Sequence, residues 1–193
     1  MIRISAILLA AGLSQRMGAD KLLMEFNGKS LLQHSIDLLY ELPVSERSVV
    51  LSKERHEFVI IPEGVQAILN TKQEKGQSES IRLGITALQE MSPSSTHYLF
   101  LQADQPKLMA ADILPLLEAA KRNPDKIIYP LINKHPSSPA IFPKKFHKEL
   151  LSLSGDIGGR IIREENIDDS MGIKAEKPEN FSDIDIMDDI LKL

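Results

Sequence analysis

The stretch "LLAAGLSQRMGADK", residues 8–21, predicts how the fold begins. The apolar run that leads into it, "IRISAILLA", is typical of a strand buried on both faces. The run stops at small residues, and a polar loop follows with Gly12, Gly18, Arg16 and Lys21. Glycines can adopt positive φ and let backbone N–H groups approach a ligand, and the cations can neutralise phosphate charge. This loop is therefore a candidate anion site, although an ordinary strand-to-helix turn with surface cations fits the same residues.

Short β-rich runs alternate with helical patterns along the rest of the chain. This alternation predicts an α/β fold, with a mostly parallel sheet covered by helices on both faces. The predicted strands are "RSVVLS", "VQAILN", "HYLFLQ", "KIIYP" and "PAIFP". Helices are expected over 30–42 (with Ser30 as N-cap), 78–91, 110–121, 143–151, 158–165 and in the tail. We expect one domain, residues 1–193, in which the Pro-, Ser- and Gly-rich segment of about 123–160 forms an acceptor-binding lobe.

Composition excludes several classes of protein. The chain has 193 residues, of which 42% are hydrophobic and 26% charged, and this is ordinary globular composition. The net charge of −4 argues against broad nucleic-acid or membrane-surface binding. With no cysteine, disulfides and thiolate metal sites are impossible. The N-terminal apolar run is too short to span a bilayer and lacks a persuasive cleavage region, so a cytoplasmic protein is expected.

Two well-known phosphate-binding motifs are absent. No GxGxxG follows the first strand, and "GKS" at residues 28–30 is not a P-loop because position 23 is leucine. The five histidines show no metal-ligand spacing, and no GxSxG elbow is present. A covalent nucleophile is therefore not predicted.

Carboxylates follow two of the apolar segments. Asp104 follows "HYLFLQ" after a single alanine, where active-site groups of α/β sheets gather, and one carboxylate with substrate phosphates can hold Mg²⁺. Capping of the next helix, near Ala110, or of the turn before it is the alternative role for Asp104. In "DIDIMDD", Asp183 and Asp185 share a face of an extended segment, so that either could join Asp104. The later pair, Asp188 and Asp189, fits the first turn of a last helix.

Two glycine-rich segments precede predicted helices. "KGQSES", residues 75–80, could bind a base, ribose or phosphate, or Ser78 or Ser80 could simply cap the helix. "SGDIGGR", residues 154–160, offers Asp156 and Arg160 to a second substrate, or to a cap and a surface ion pair.

The order of these segments resembles one enzyme family. "LLAAGLSQRMGADK" is similar to the LAAGxSxRMGxxK signature of nucleotidyltransferases that activate sugars and cofactors. The further segments "NTKQEKGQSESIRLGI", "LFLQADQP", "GDIGGR" and "DIDIMDD" resemble molybdenum cofactor cytidylyltransferase, and together they span nearly the whole chain. The resemblance implies a three-layer Rossmann-like nucleotidyltransferase fold. It also implies Mg²⁺-dependent transfer of CMP from CTP to the phosphate of the molybdenum–molybdopterin cofactor, with release of pyrophosphate.

The resemblance also implies roles for individual residues. Catalysis would use Arg16, Lys21 and Asp104, and the metal would bind Asp104 and Asp185. The acceptor would meet Pro139, Asp156 and Arg160. The nucleotide would be bound by Ala10, Ala11, Gly12, Arg16, Lys21, Asn70, Gly76, Ser78 and Ser80. One departure concerns the acceptor, because Ser137 and Ser138 replace the family's usual Gly-His pair before Pro139.

Three readings remain open from the sequence. The first is the cytidylyltransferase. The second is a nucleotidyltransferase that uses GTP or another phosphate acceptor, and the third is a non-catalytic cofactor-delivery protein. A molybdenum hydroxylase or a maturation chaperone is the expected transient partner, because a labile cofactor is best handed over directly.

Overall fold

The computed structural model describes residues 2–12 and 20–183. Within these residues, ten strands form two sheets, a large mixed one and a two-stranded hairpin. The strands are β1 (Ile4–Ala10), β2 (Glu25–Phe26), β3 (Lys29–Ser30), β4 (Arg47–Leu51), β5 (Val65–Leu69), β6 (His97–Gln102), β7 (Ile127–Ile132), β8 (His135–Pro136), β9 (Ala140–Pro143) and β10 (Ser170–Lys174).

The large sheet has the order β10-β7-β9-β6-β1-β4-β5, with β8 paired to β7. Strand β1 lies between β6 and β4 and is parallel to both. Its seven residues are all buried, as the continuous apolar run predicts. In the described part of the large sheet, the antiparallel pairs are those that β8 and β9 make. The predicted α/β fold with a mostly parallel sheet is therefore confirmed.

Helices cover both faces of this sheet. They are α1 (Leu31–Glu41), α2 (Lys53–His56), α3 (Gln77–Met91), α4 (Ala110–Arg122), α5 (His147–Ser152) and α6 (Arg160–Glu165). Short 3-10 turns span Lys21–Leu23, Gln73–Lys75, Lys144–Phe146, Ile167–Asp169 and Pro178–Phe181.

Alternation along β1 divides the core into two layers. Ala6, Leu8 and Ala10 face the layer that includes α1 and α4. Ile7 and Leu9 face the layer that includes α3, α5 and α6. Successive side chains of a strand point to opposite faces, so a strand buried on both sides reads as continuously apolar.

Most predicted elements are found near their predicted bounds. Ser30 caps α1, since its Oγ accepts a hydrogen bond from the Gln33 backbone N–H at 3.1 Å. Segment 28–30, rejected as a P-loop, instead belongs to the hairpin of β2 and β3. Asn27 and Gly28 form its tight turn, both with positive φ, and Lys29 and Ser30 form β3. The edge strand β10 was missed because its sequence, "SMGIK", is short and only partly apolar. The predicted helix in the tail begins beyond residue 183 and lies outside the described residues.

Segment 123–160, predicted to hold the acceptor-binding lobe, contributes β7, β8, β9 and α5. Its strand β9 lies between β6 and β7, so part of this segment belongs to the central sheet. Within the described part of the chain, no helix is long and apolar enough to cross a bilayer.

Candidate active site

A lysine and an aspartate meet beyond the carboxyl ends of β1 and β6. Since these strands are parallel neighbours, with Leu9 opposite Gln102, their carboxyl ends lie side by side. Lys21 Nζ lies 2.9 Å from Asp104 Oδ2, and the two side chains are 20% and 26% exposed. Both groups can therefore contact a ligand from solvent. The carboxyl edge of a parallel sheet is where ligands of α/β proteins bind.

Asp104 is not the cap of the following helix. Helix α4 begins after Met109, and Asp112 Oδ2 accepts a hydrogen bond from the Met109 N–H at 3.0 Å. The helix-capping role considered for Asp104 is therefore wrong, and its carboxylate is directed to Lys21 instead.

A buried arginine connects both ends of the loop after β1. The Arg55 Nη1 donates a hydrogen bond to the Ala10 carbonyl at 2.6 Å, while its Nε and Nη2 reach the two oxygens of Asp20 at 2.6 and 2.9 Å. Asp20 also accepts from the Leu22 N–H at 3.1 Å, one residue after Lys21. Arg55 therefore fixes where the loop leaves β1 and where it delivers Lys21.

The predicted loop residues are only partly described. Ala10 and Ala11 are buried at the end of β1. Gly12 was expected to allow positive φ, but it is not among the described glycines that have it. A Cβ at Gly12 would meet no atom of the described residues within 4 Å. Arg16 and Gly18 lie outside the described residues.

Side-chain hydrogen bonds hold the predicted nucleotide-binding segment, residues 70–80, and its serines do not cap α3. Ser80 Oγ accepts a hydrogen bond from Asn70 Nδ2 at 3.0 Å, and Asn70 Oδ1 accepts one from the Lys72 N–H at 2.8 Å. Ser78 Oγ donates to the Lys75 carbonyl. The capping role considered for Ser78 and Ser80 is therefore wrong, because α3 follows Gly76 without a side-chain cap of its own.

The two glycine-rich segments lie against each other. Gly76 has φ 77° and ψ −168°, a combination essentially restricted to glycine. A Cβ there would lie 2.5 Å from the Gly155 backbone. Asp156 Oδ1 accepts a hydrogen bond from the Gln77 N–H at 3.3 Å, so this residue, 79 positions away in sequence, satisfies the first turn of α3.

A pocket of about 270 Å³ opens where these segments meet the sheet. Its walls come from β1, β6, β9, the start of α3, the turn before β9 and the segment that enters α6. The lining residues are Leu9, Gln77, Ile81, Phe100, Gln102, Ser137, Ser138, Ala140, Phe142, Asp156, Gly158, Gly159, Arg160 and Arg163. Two of the three predicted acceptor residues, Asp156 and Arg160, line it. The third, Pro139, stands between the lining residues Ser138 and Ala140, and its peptide bond with Ser138 is cis.

The two arginines of this pocket differ in environment. Arg160 Nε pairs with Glu164 Oε1 at 2.6 Å and is 80% exposed. Arg163 is 9% exposed, and its guanidinium lies 4.8 Å from the centre of the Tyr129 ring. Burial is the main cause that lowers the pKa of the Arg163 guanidinium from its ordinary value. Stacking on an aromatic ring stabilises a cation by about 0.5–2 kcal/mol, which is less than the several kcal/mol of desolvation free energy that burying a cation costs.

The C-terminal segment is tied to the Asp104 turn. Gln105 is buried, and its Nε2 donates a hydrogen bond to the Phe181 carbonyl at 3.0 Å. The exposed Asp183 follows two residues later, while Asp185 lies outside the described residues. Within residues 2–12 and 20–183, no group of three or more acidic or histidine side chains forms a metal site. Asp104 with substrate phosphates still fits Mg²⁺, which is commonly held by one or two carboxylates.

Three residues that position this site were missed in the sequence. Asp20, Arg55 and Gln105 act through contacts with residues far away in the chain. Arg55 lies in "SKERHE", which reads as a charged surface turn. Asp20 caps the 3-10 turn Lys21–Leu23, and an aspartate directly before Lys21 was the sequence signal that could have predicted this cap.

The fold and the position of this site define an α/β protein whose candidate ligand site lies at the carboxyl edge of a parallel sheet. Residues 6–170 match the family model described as the MobA-like NTP transferase domain. Because this match covers most of the chain, the protein belongs to the MobA-like NTP transferase family. Membership confirms the nucleotidyltransferase family predicted from the motifs.

Similar proteins carry several descriptions. A Pyrococcus horikoshii protein, 38% identical over 69 residues, and a Rhodopirellula baltica protein, 33% identical over 126 residues, are both described as probable molybdenum cofactor guanylyltransferases. These matches cover 36% and 63% of this chain, and 36% and 58% of the relatives. A 2-C-methyl-D-erythritol 4-phosphate cytidylyltransferase of Shewanella pealeana is 30% identical over 132 residues, which is 65% of this chain and 54% of that one. The chain thus matches only part of each relative's length.

Solved structures confirm the fold class. Rv0371c from Mycobacterium tuberculosis H37Rv superimposes with a TM-score of 0.81 at 18% identity, over 99% of this chain and 97% of that one. A structure of the same protein described as a complex with manganese gives 0.76 at 16% identity, with the same coverage. A 4-diphosphocytidyl-2C-methyl-D-erythritol synthase from Anaerococcus prevotii gives 0.77 at 19% identity, over 99% and 94%. At these identities the likeness concerns the three-layer nucleotidyltransferase fold alone.

Proposed function

We propose that this protein transfers CMP from CTP to the phosphate of the molybdenum–molybdopterin cofactor and releases pyrophosphate. The observation that carries the proposal is the ion pair of Lys21 and Asp104 at the carboxyl edge of β1 and β6. The 270 Å³ pocket is lined in part by the ends of the same two strands. In this proposal the acceptor would bind there, beside the nucleotide.

The reaction needs alignment and charge neutralisation rather than a protein nucleophile. An oxygen of the acceptor's phosphate attacks the α-phosphorus of the nucleotide and forms the new P–O bond. The bond from the α-phosphorus to the bridging oxygen breaks, and pyrophosphate leaves with the electron pair. Lys21, held beside Asp104, would stabilise negative charge on the phosphates, and positioned cations of this kind are a major source of rate enhancement.

The other roles follow the motif assignment. Ala10, Ala11, Gly12 and Arg16 would line the triphosphate with Lys21. The nucleoside would meet Asn70, Gly76, Ser78 and Ser80, and their observed contacts hold this segment in one conformation. The acceptor would meet Pro139, Asp156 and Arg160.

Mg²⁺ is the proposed metal, held by Asp104 with Asp185 or, less favoured, Asp183. Bound there with the phosphates, it would supply Lewis-acid stabilisation of charge at the α-phosphorus. The manganese complex described for the mycobacterial protein of the same fold supports a divalent metal in this fold.

GMP transfer from GTP is the second candidate, because two relatives are described as guanylyltransferases. The combination of Gly-x-Ser-x-Ser, DQP and GDxGxR favours CTP, and a cytidylyltransferase is also among the relatives. Neither the fold nor the Lys21–Asp104 pair differs between the two candidates.

The test is pyrophosphate release by the purified protein with Mg²⁺ and intact molybdenum cofactor, offered CTP, GTP or ATP separately. Release with CTP alone supports the proposal, and release with GTP alone replaces it by the second candidate. Asp104→Asn should abolish release, whereas Asp125→Asn, which removes an exposed carboxylate outside the site, should retain it. Absence of pyrophosphate release with all three nucleotides would favour a cofactor-delivery protein. The test of that alternative is capture of a molybdenum hydroxylase or chaperone.

A further inference from the structure

Arg163 is a buried cation that the motif assignment does not use. It lies on α6, lines the 270 Å³ pocket and is 91% buried, with its guanidinium stacked on Tyr129. Among the residues described, no carboxylate pairs with Arg163 and its guanidinium donates no hydrogen bond. Glu164, the adjacent acid, pairs with Arg160 instead. A guanidinium has five N–H donors, and stacking on a ring satisfies none of them.

Two hydroxyl groups in the same pocket are also uncommitted. Ser137 and Ser138 line it and are half-buried. In the part of the chain that the structure describes, neither hydroxyl donates or accepts a hydrogen bond. These serines stand where the family's usual Gly-His pair was expected. The one acid of the pocket wall, Asp156, accepts a hydrogen bond from the Gln77 N–H. The pocket therefore presents donors that match an oxygen-rich anionic group.

The ring beneath Arg163 is well separated from the Lys21–Asp104 pair. Strands β7 and β6 have β9 between them, which places them two strand spacings, about 10 Å, apart. Ile128 and Leu99 both pair with Ile141, so Tyr129 is level with Phe100, four residues before Asp104. An anion at Arg163 is therefore a different group from the phosphates at Lys21.

We propose that Arg163, with Ser137 and Ser138, binds a second anionic, oxygen-bearing group of the acceptor, distinct from the phosphate that attacks the nucleotide. This inference rests on the proposed function for the identity of the acceptor, but the anion site itself does not. Arg163 is then a specificity-determining residue, because acceptors without such a group forgo a charge-assisted interaction with a guanidinium at the pocket wall.

The kinetic test compares Arg163→Met with the unaltered protein. Methionine keeps an unbranched apolar stem over Tyr129 and removes the charge. The KM for the acceptor should rise by about tenfold or more, as expected for the loss of a charge-assisted interaction, while the KM for the nucleotide changes less than about twofold. Arg122→Met, which removes an exposed arginine at the end of α4, is the matched control and should change neither. An unchanged acceptor KM in Arg163→Met, or an equal rise in both KM values, would overturn the inference.

A second measurement needs no turnover. Inorganic phosphate is titrated into the ¹⁵N-labelled full chain while the arginine Nε–H signals are followed by NMR, and the Arg163 signal is identified by its absence in Arg163→Met. A saturable shift of that signal supports the anion site, even if no nucleotide is turned over and the proposed function has failed. An Arg163 signal that stays fixed while other arginines shift refutes it. Arg163→Lys, which retains the charge without the planar fork, should bind phosphate more weakly than the unaltered protein.

Discussion

The contact between Arg55 and Asp20 makes a prediction about both stability and the placement of Lys21. The side chain of Arg55 is 4% exposed, and that of Asp20 is 30% exposed. Removing one partner of a buried ion pair costs about 3–5 kcal/mol when the other charge stays buried, and less when that charge can regain water. Asp20→Asn, which leaves the buried arginine without this carboxylate, should therefore be the more damaging change.

The expected magnitudes follow from this asymmetry. Asp20→Asn should lower the free energy of unfolding by about 3–5 kcal/mol. Arg55→Met should lower it by about 1–3 kcal/mol, because a carboxylate that is 30% exposed can rehydrate and the Ala10 carbonyl loses a hydrogen bond. For a chain of this length each kcal/mol corresponds to about 2–4 °C in Tm.

The assay is urea unfolding followed by circular dichroism, for both single variants and the double variant. The loss in free energy of unfolding of the double variant should be smaller than the sum of the two single losses by at least about 1 kcal/mol, because the two groups are in direct contact. Lys29→Met removes an exposed partner of Asp37 and serves as the control, with an expected loss below about 1 kcal/mol. Equal losses for Asp20→Asn and Arg55→Met, or strict additivity, would refute the reasoning.

Three further predictions concern single positions. Gly76→Ala should lower the free energy of unfolding by about 1–3 kcal/mol from backbone strain, and by more from the clash with Gly155; an unchanged Tm would contradict this. Lys21→Met should reduce pyrophosphate release by about 10²–10³-fold while the protein stays folded, as checked by circular dichroism, because the phosphates lose a positioned cation. Burial lowers the pKa of His97, so the unfolded chain binds more protons below about pH 6.5 and stability falls as the pH is lowered; His97→Gln should flatten that slope in urea unfolding at pH 5.5 and 7.5.

Local patterns predicted the elements near the site closely. "HYLFLQ" became β6 with the same bounds, and Ser30 caps α1 as its position before an apolar run suggests. Asp104 was found from its place after a buried strand, because the end of a strand and the edge of a parallel sheet are both readable from hydrophobicity. The serines at 78 and 80 were harder, since capping and binding use the same residue types.

The sequence by itself determined the α/β fold, the candidate phosphate loop and the family, because these depend on periodicity and on motifs of neighbouring residues. Only the tertiary structure decided that Arg55 holds both ends of that loop, that Asp156 satisfies the first turn of α3, and that Arg163 lies buried on Tyr129. Each of these contacts joins residues more than 30 positions apart. Charged side chains read as surface in a sequence, and only packing reveals which of them are buried and must find a partner.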